Sequence, residues 1–112
     1  MIVQTERHGD ITVLRPAGRV DSANAADFER AVADVFDGGS RRLVLDFSQL
    51  EYISSAGLRS SRIAGKKARA LEGGQLVLCA LAPQVAEIFA ISGFTAIFTI
   101  RDDLEDALAQ LR

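Results

Sequence analysis

Hydrophobic residues along this chain follow two rhythms, short unbroken runs and stretches with a spacing of three or four, and the two alternate. Residues 2–7 and 11–17, the second with Ile11, Val13 and Ala17 at alternate positions, lie on either side of "HGD", which predicts two antiparallel strands joined by a turn. After "GRVDS", Ala25, Phe28, Val32, Val35 and Phe36 recur at helical spacing until Gly38-Gly39 stops the run. Asp21 or Ser22 is placed to cap this helix, and Asp27, Glu29, Arg30 and Asp34 fall on its outer side. "LVLDF" at 43–47 and "LVLCAL" at 76–81 are continuous apolar runs of the kind found in strands covered on both faces. Between them, residues 55–71 read as a helix ended by Gly73-Gly74. Pro83 opens a shorter helix with Val85, Ile88 and Phe89 facing inward, and Ser92-Gly93 closes it. A last strand at 96–100, "AIFTI", leads to a C-terminal helix with Asp102 and Glu105 as its capping pair. Leu104, Ala107, Leu108 and Leu111 form the apolar stripe of that helix.

The resulting order, β-β-α-β-α-β-α-β-α, predicts an α/β fold. A mixed sheet of about five strands, largely parallel after the first pair, has about four helices packed against it. The 112 residues fit one domain spanning 1–112. A composition of 48% hydrophobic and 25% charged residues is that of a globular protein with a packed core. The net charge of −2 argues against a direct nucleic-acid partner, which would call for a strongly basic face. Cys79, the one cysteine, excludes an internal disulfide and reads as a buried, inert thiol within "LVLCAL". No segment approaches the ~20 apolar residues of a membrane span and no signal peptide is visible, so a cytoplasmic protein without membrane insertion is expected.

The stretch "EYISSAGLRS" sets two serines and a glycine where the buried run 43–47 gives way to the helix of 55–71. Loops that leave the carboxyl ends of strands are where α/β proteins usually meet ligands and partners. Ser54 and Ser55 are candidate caps for the helix, and its free N–H groups and dipole would equally tolerate a phosphoryl group. Gly57 permits close approach, by a neighbouring element or by a partner. At 100° per residue, Gly57, Leu58, Ser61, Ala64, Gly65, Ala68 and Leu71 share the packing side. Ser55 instead heads an outward basic stripe of Arg59, Arg62, Lys66 and Arg69, with Ile63 and Ala70 beside it. A solvated face accounts for such a stripe, and so does an acidic protein docking over Ser55.

Enzyme chemistry is not expected. "ISSAG" lacks the first glycine of a G-x-S-x-G elbow, and the only histidine, His8, falls in the N-terminal turn. Asp46 ends a strand without the acidic cluster and late lysine of a phosphate-accepting receiver, which leaves it a structural or partner-facing role. No G-x-x-x-x-G-K-[ST] loop is present, and no cofactor is implied.

"GRVDSANA", "LVLDFSQLEYISSAGLRSS" and "GGQLVLCALAPQVAEIFAISGF", followed by an acidic helix, resemble in order and spacing the STAS domain of anti-sigma factor antagonists. The resemblance spans nearly the whole chain, and its most specific part is the pattern L-x-P-x-V-x-x-[IL]-F-x-x-S-G. It implies the STAS fold and a bacterial partner-switching protein. In that scheme the unmodified antagonist binds a GHKL-type anti-sigma factor serine kinase and so frees a sigma factor. Phosphorylation releases the complex, and a PP2C-type phosphatase restores the serine. The family's D-S-[SA]-G places the phosphorylated residue at Ser55, with Ala56 and Gly57 following; Ser54 stands where many members carry aspartate. The implied partner surface comprises Ser54, Ser55, Ala56, Gly57, Arg59, Arg62, Ile63 and Lys66, together with Asp21, Ser22 and Asn24 in the loop entering the first helix. Two other roles fit the resemblance: an accessory subunit of a membrane lipid ABC transporter, and an adaptor for a partner-switching output other than sigma, such as secretion or motility.

Overall fold

The computed structural model describes all residues from 1 to 112. The chain runs through β1 (Val3–His8), β2 (Ile11–Pro16), β3 (Gly18–Val20), α1 (Ala25–Asp37), β4 (Arg42–Asp46), β5 (Leu50–Ile53) and α2 (Ser55–Ala70). It continues through β6 (Gln75–Cys79), α3 (Pro83–Ile91), a 3₁₀ turn at Phe94–Ala96, β7 (Thr99–Arg101) and α4 (Leu104–Leu111). A five-stranded mixed sheet has the order β1-β2-β4-β6-β7, with β1 antiparallel to β2 and every other pairing parallel. From β2 to β7 each crossover steps in the same direction. Because such crossovers are right-handed, α1, α2 and α3 all fall on one face of the sheet.

That face holds the larger core, where Leu14, Leu43, Leu45 and Leu78 meet Phe28, Val32 and Phe36 of α1, Ala64 and Ala68 of α2, and Val85 and Phe89 of α3. On the opposite face, Ile11, Val13, Val44, Val77 and Cys79 are covered by Ala107, Leu108 and Leu111 of α4. The alternation along β2 and β4 divides each strand between the two cores, as unbroken apolar runs require. Cys79 lies in the smaller core, and its burial, reinforced by the neighbouring Asp46 carboxylate, pushes the thiol up to about 12. It is an inert packing residue, as its sequence context indicates.

Several expectations need correction. β3 and β5 are strands that the hydrophobic pattern does not announce; they form a separate two-stranded parallel sheet. The strand expected at 96–100 begins at Thr99, because Phe94–Ala96 form a 3₁₀ turn that delivers Phe98 into the larger core. β6 ends at Cys79, since Ala80 takes a left-handed conformation with φ of 59°. Asp103, and not the pair Asp102 and Glu105, caps α4, its side chain accepting from the Asp106 amide at 2.9 Å. His8 closes β1 and is not a turn residue.

Arg15 ties the edge of the sheet to its centre. Its Nε donates to Asp46 Oδ2 at 2.9 Å and its Nη1 to Glu6 Oε1 at 2.6 Å. Asp46 is buried, and its other oxygen accepts from the Ser48 amide at 2.9 Å, which establishes the structural role for this aspartate. The hydrogen bond from Arg15, helped by one from His8, holds the Glu6 carboxyl below its ordinary value of 4.5. A carboxyl lowered by folding contributes stability above its unfolded pKa and loses it as pH falls through the lowered folded value. Wild type should therefore resist urea better than Glu6→Gln at neutral pH. The gap between their unfolding midpoints should close as the pH falls below 4.5.

Candidate partner-binding site

Two loops at the carboxyl ends of β3 and β5 lie side by side because those strands pair. The Ser54 amide donates to the Val20 carbonyl at 2.9 Å, carrying the pairing up to the start of α2. Ser54 is the N-cap: its Oγ accepts from the Gly57 amide at 3.4 Å and its carbonyl from the Leu58 amide at 2.9 Å. Ser55 is the first residue of the helix, exposed, and its hydroxyl makes no hydrogen bond with the protein. The two serines thus divide the roles that the sequence leaves open to both. Ser54 is held by the backbone and Ser55 is presented.

Gly57 is buried against β3 and β5, where an added Cβ would lie 2.5 Å from Ile53 Cγ1 and 2.8 Å from Val20 Cγ1. The close approach is therefore by a neighbouring element. Gly57 shapes the surface from beneath. Ala56 is half-buried and packs against the larger core. Ser60, also buried, donates to the Ala25 carbonyl at 3.3 Å and fastens α2 to the first turn of α1.

In the loop entering α1, Asn24 occupies the N-cap position and its side chain turns back. Its Oδ1 accepts from the Asp21 amide at 2.9 Å and its Nδ2 donates to the Arg19 carbonyl at 2.8 Å. The Asp21 carboxylate accepts from the Ala23 amide at 3.0 Å, and Ser22 is exposed. Neither Asp21 nor Ser22 caps α1, contrary to expectation, because the loop folds on itself as a local turn.

The outer face of α2 carries Arg59, Arg62, Ile63, Lys66, Arg69 and Ala70, all exposed. The packing side is as the helical projection gives it, with Leu71 only partly covered and Ser60 added. α2 contains five basic residues and no acidic one, and only Lys67, paired with Asp37 at 3.1 Å, enters an ion pair. The other four cations are unpaired in a chain with fifteen acidic residues. Beside these loops stand two exposed residues that sequence reasoning missed, Arg19 on β3 and Tyr52 on β5, which are direct partners in the register of the small sheet. Their neighbourhood is visible only once both strands are recognised. No three His, Cys, Asp or Glu side chains converge to hold a metal ion.

A family model for the STAS domain matches residues 3–107. The chain belongs to the STAS-domain family. Over 95 residues, 85% of this STAS chain and 81% of the relative, it is 47% identical to BtrV of Bordetella bronchiseptica, which carries the name of an anti-sigma factor antagonist. The crystal structure of an anti-sigma factor antagonist from Mycobacterium paratuberculosis superposes with a TM-score of 0.90 at 26% identity, covering 99% of this chain and 93% of that one. A Thermotoga maritima structure superposes with a TM-score of 0.92 at 22% identity, over 98% and 94% of the two chains, and shows the same STAS fold.

Two substitutions separate the serines by stability. Ser54→Ala should lower the unfolding free energy by about 0.5–1 kcal/mol through the lost cap, whereas Ser55→Ala should leave it nearly unchanged in urea titrations. Gly57→Ala should destabilise by roughly 1–2 kcal/mol, the overpacking at Val20 and Ile53 outweighing the gain in helix propensity.

Proposed function

We propose that this STAS protein is an anti-sigma factor antagonist switched at Ser55. In the unphosphorylated state it binds a GHKL-type anti-sigma factor serine kinase and frees the sigma factor that the kinase holds. The kinase then transfers a phosphoryl group from ATP to the Ser55 hydroxyl and the complex separates, and a PP2C-type phosphatase hydrolyses the phosphoester to restore binding. The observation that carries this reading is the placement of Ser55: an exposed hydroxyl, without a protein hydrogen bond, at the head of an unpaired basic stripe with Ile63 beside it. The names of relatives that align over most of the chain support the antagonist role.

The stripe calls for an acidic surface on the kinase, and docking there desolvates Ser55. Phosphate brings about −1.5 to −2 charges to that point and sets them against the partner's acids. Attraction from Arg59 and Arg62 within the chain offsets part of this and competes with the partner for the same cations. On this reading the protein is a cytoplasmic binding module that performs no catalysis itself; none of its helices is long and apolar enough to cross a membrane.

The test is affinity for the purified kinase, measured by titration calorimetry. Ser55→Ala should bind like the wild type and resist release by ATP. Ser55→Asp should fold normally and bind at least about thirtyfold more weakly, the effect of placing a like charge in a desolvated contact. Equal binding by the two variants would sink the proposal.

A further inference from the structure

Arg19 and Tyr52 face each other across the small sheet, with the Arg19 guanidinium carbon 4.3 Å from the centroid of the Tyr52 ring. Both are exposed, and Tyr52 is the only tyrosine of a chain without tryptophan. The other side of this sheet, Val20 and Ile53, is buried beneath Gly57, so the pair stands on the outward face. Arg19 enters no ion pair. Its guanidinium rests against the ring in a cation–π contact, and its backbone carbonyl is bonded by Asn24 at 2.8 Å.

A guanidinium has its N–H donors in its own plane, so stacking one flat side on a ring leaves the donor fork open for a carboxylate. Fixing it beforehand removes much of the ordering that a free arginine would undergo on binding. Exposed tyrosine and arginine are also the side chains over-represented among residues that dominate interface energies. The pair is continuous with the candidate site, because β3 runs from Arg19 into the loop of Asp21 to Asn24 and β5 from Tyr52 into Ser54 and Ser55. Arg19 therefore adds an unpaired cation beside the loops that frame Ser55, on the side of the small sheet turned away from Gly57.

We propose that Arg19, oriented by Tyr52, is an anchor of the partner surface that receives an aspartate or glutamate side chain of the docking protein. Arg19 makes the contact, and Tyr52 is a positioning residue. The inference rests on the reading that an acidic protein docks over Ser55, and it adds a second point of attachment outside α2. It also separates affinity from the switch, because Arg19 lies on a different element from the residue that is modified.

The experiment is calorimetric titration of the purified GHKL-type anti-sigma factor kinase from the same genome into the unphosphorylated full chain, with thermal unfolding of each variant alongside. Arg19→Gln and Tyr52→Leu should each weaken binding by about tenfold or more. Tyr52→Phe, which keeps the ring, should bind like the wild type. Arg19→Lys, which keeps the charge without the fork, should lie between, and the double variant should bind no worse than Arg19→Gln alone. An affinity for Arg19→Gln within twofold of wild type overturns the anchor, as does a change confined to thermal stability. Ser55→Asp in the same series distinguishes the two readings. If Arg19→Gln weakens binding while Ser55→Asp does not, the anchor stands and the switch falls; the converse leaves the switch without the anchor. Absence of a complex with the wild-type chain overturns both.

Discussion

The contact of Gly57 with Val20 and Ile53 is the constraint on which the site depends. Only a residue without a Cβ lets the first turn of α2 lie this close to the small sheet. The same approach lets Ser54 extend the β3 and β5 pairing, satisfy the helix start with its own side chain and leave the next hydroxyl outward. Ser60 then locks the helix to the carbonyl of Ala25, so the loop entering α1 and the start of α2 are held as one surface. Presentation of Ser55 is thus a product of packing beneath it more than of its own sequence neighbours.

A second constraint acts through chirality. Strands added always on the same side, with right-handed crossovers, assign three helices to one face and leave the last helix alone to cover the other. That second face needs fewer apolar residues. Beyond the reach of α4, β1, β2 and β4 are joined there by the Glu6–Arg15–Asp46 network. A charged side chain is tolerated at the centre of the sheet because Asp46 has both a guanidinium and a backbone amide to bond.

The central strands β4 and β6 were legible because a run such as "LVLDF", covered on both faces, leaves no room for polar alternation. The faces of α2 were legible for a similar reason: small residues at helical spacing mark the flank that packs closely, and cations at the same spacing mark the flank that meets water. β3 and β5 were not, because three and four residues carry too little pattern and their identity as strands lies in each other, across thirty residues of chain. Arg19 and Tyr52 went unseen with them. The caps of α1 and α4 failed on a finer scale. Asp21, Ser22, Asn24, Asp102 and Asp103 are chemically equivalent candidates, and backbone angles, which the sequence does not display, choose among them.

With five of the thirteen basic residues gathered on α2, eight remain to face fifteen acidic residues over the rest of the molecule. The charge is therefore uneven: α2, which begins at Ser55, is net positive and the rest of the chain is net negative. On the proposed reading, an acidic partner approaching from solution would be turned toward α2 before any atoms touch, so the productive fraction of encounters would rise and become sensitive to ionic strength. A phosphoryl group at the head of the stripe would weaken that field at its source. The modified protein would then meet its partner less often as well as hold it less firmly, and discrimination between the two forms would begin at a distance of a Debye length, about 8 Å in cellular salt.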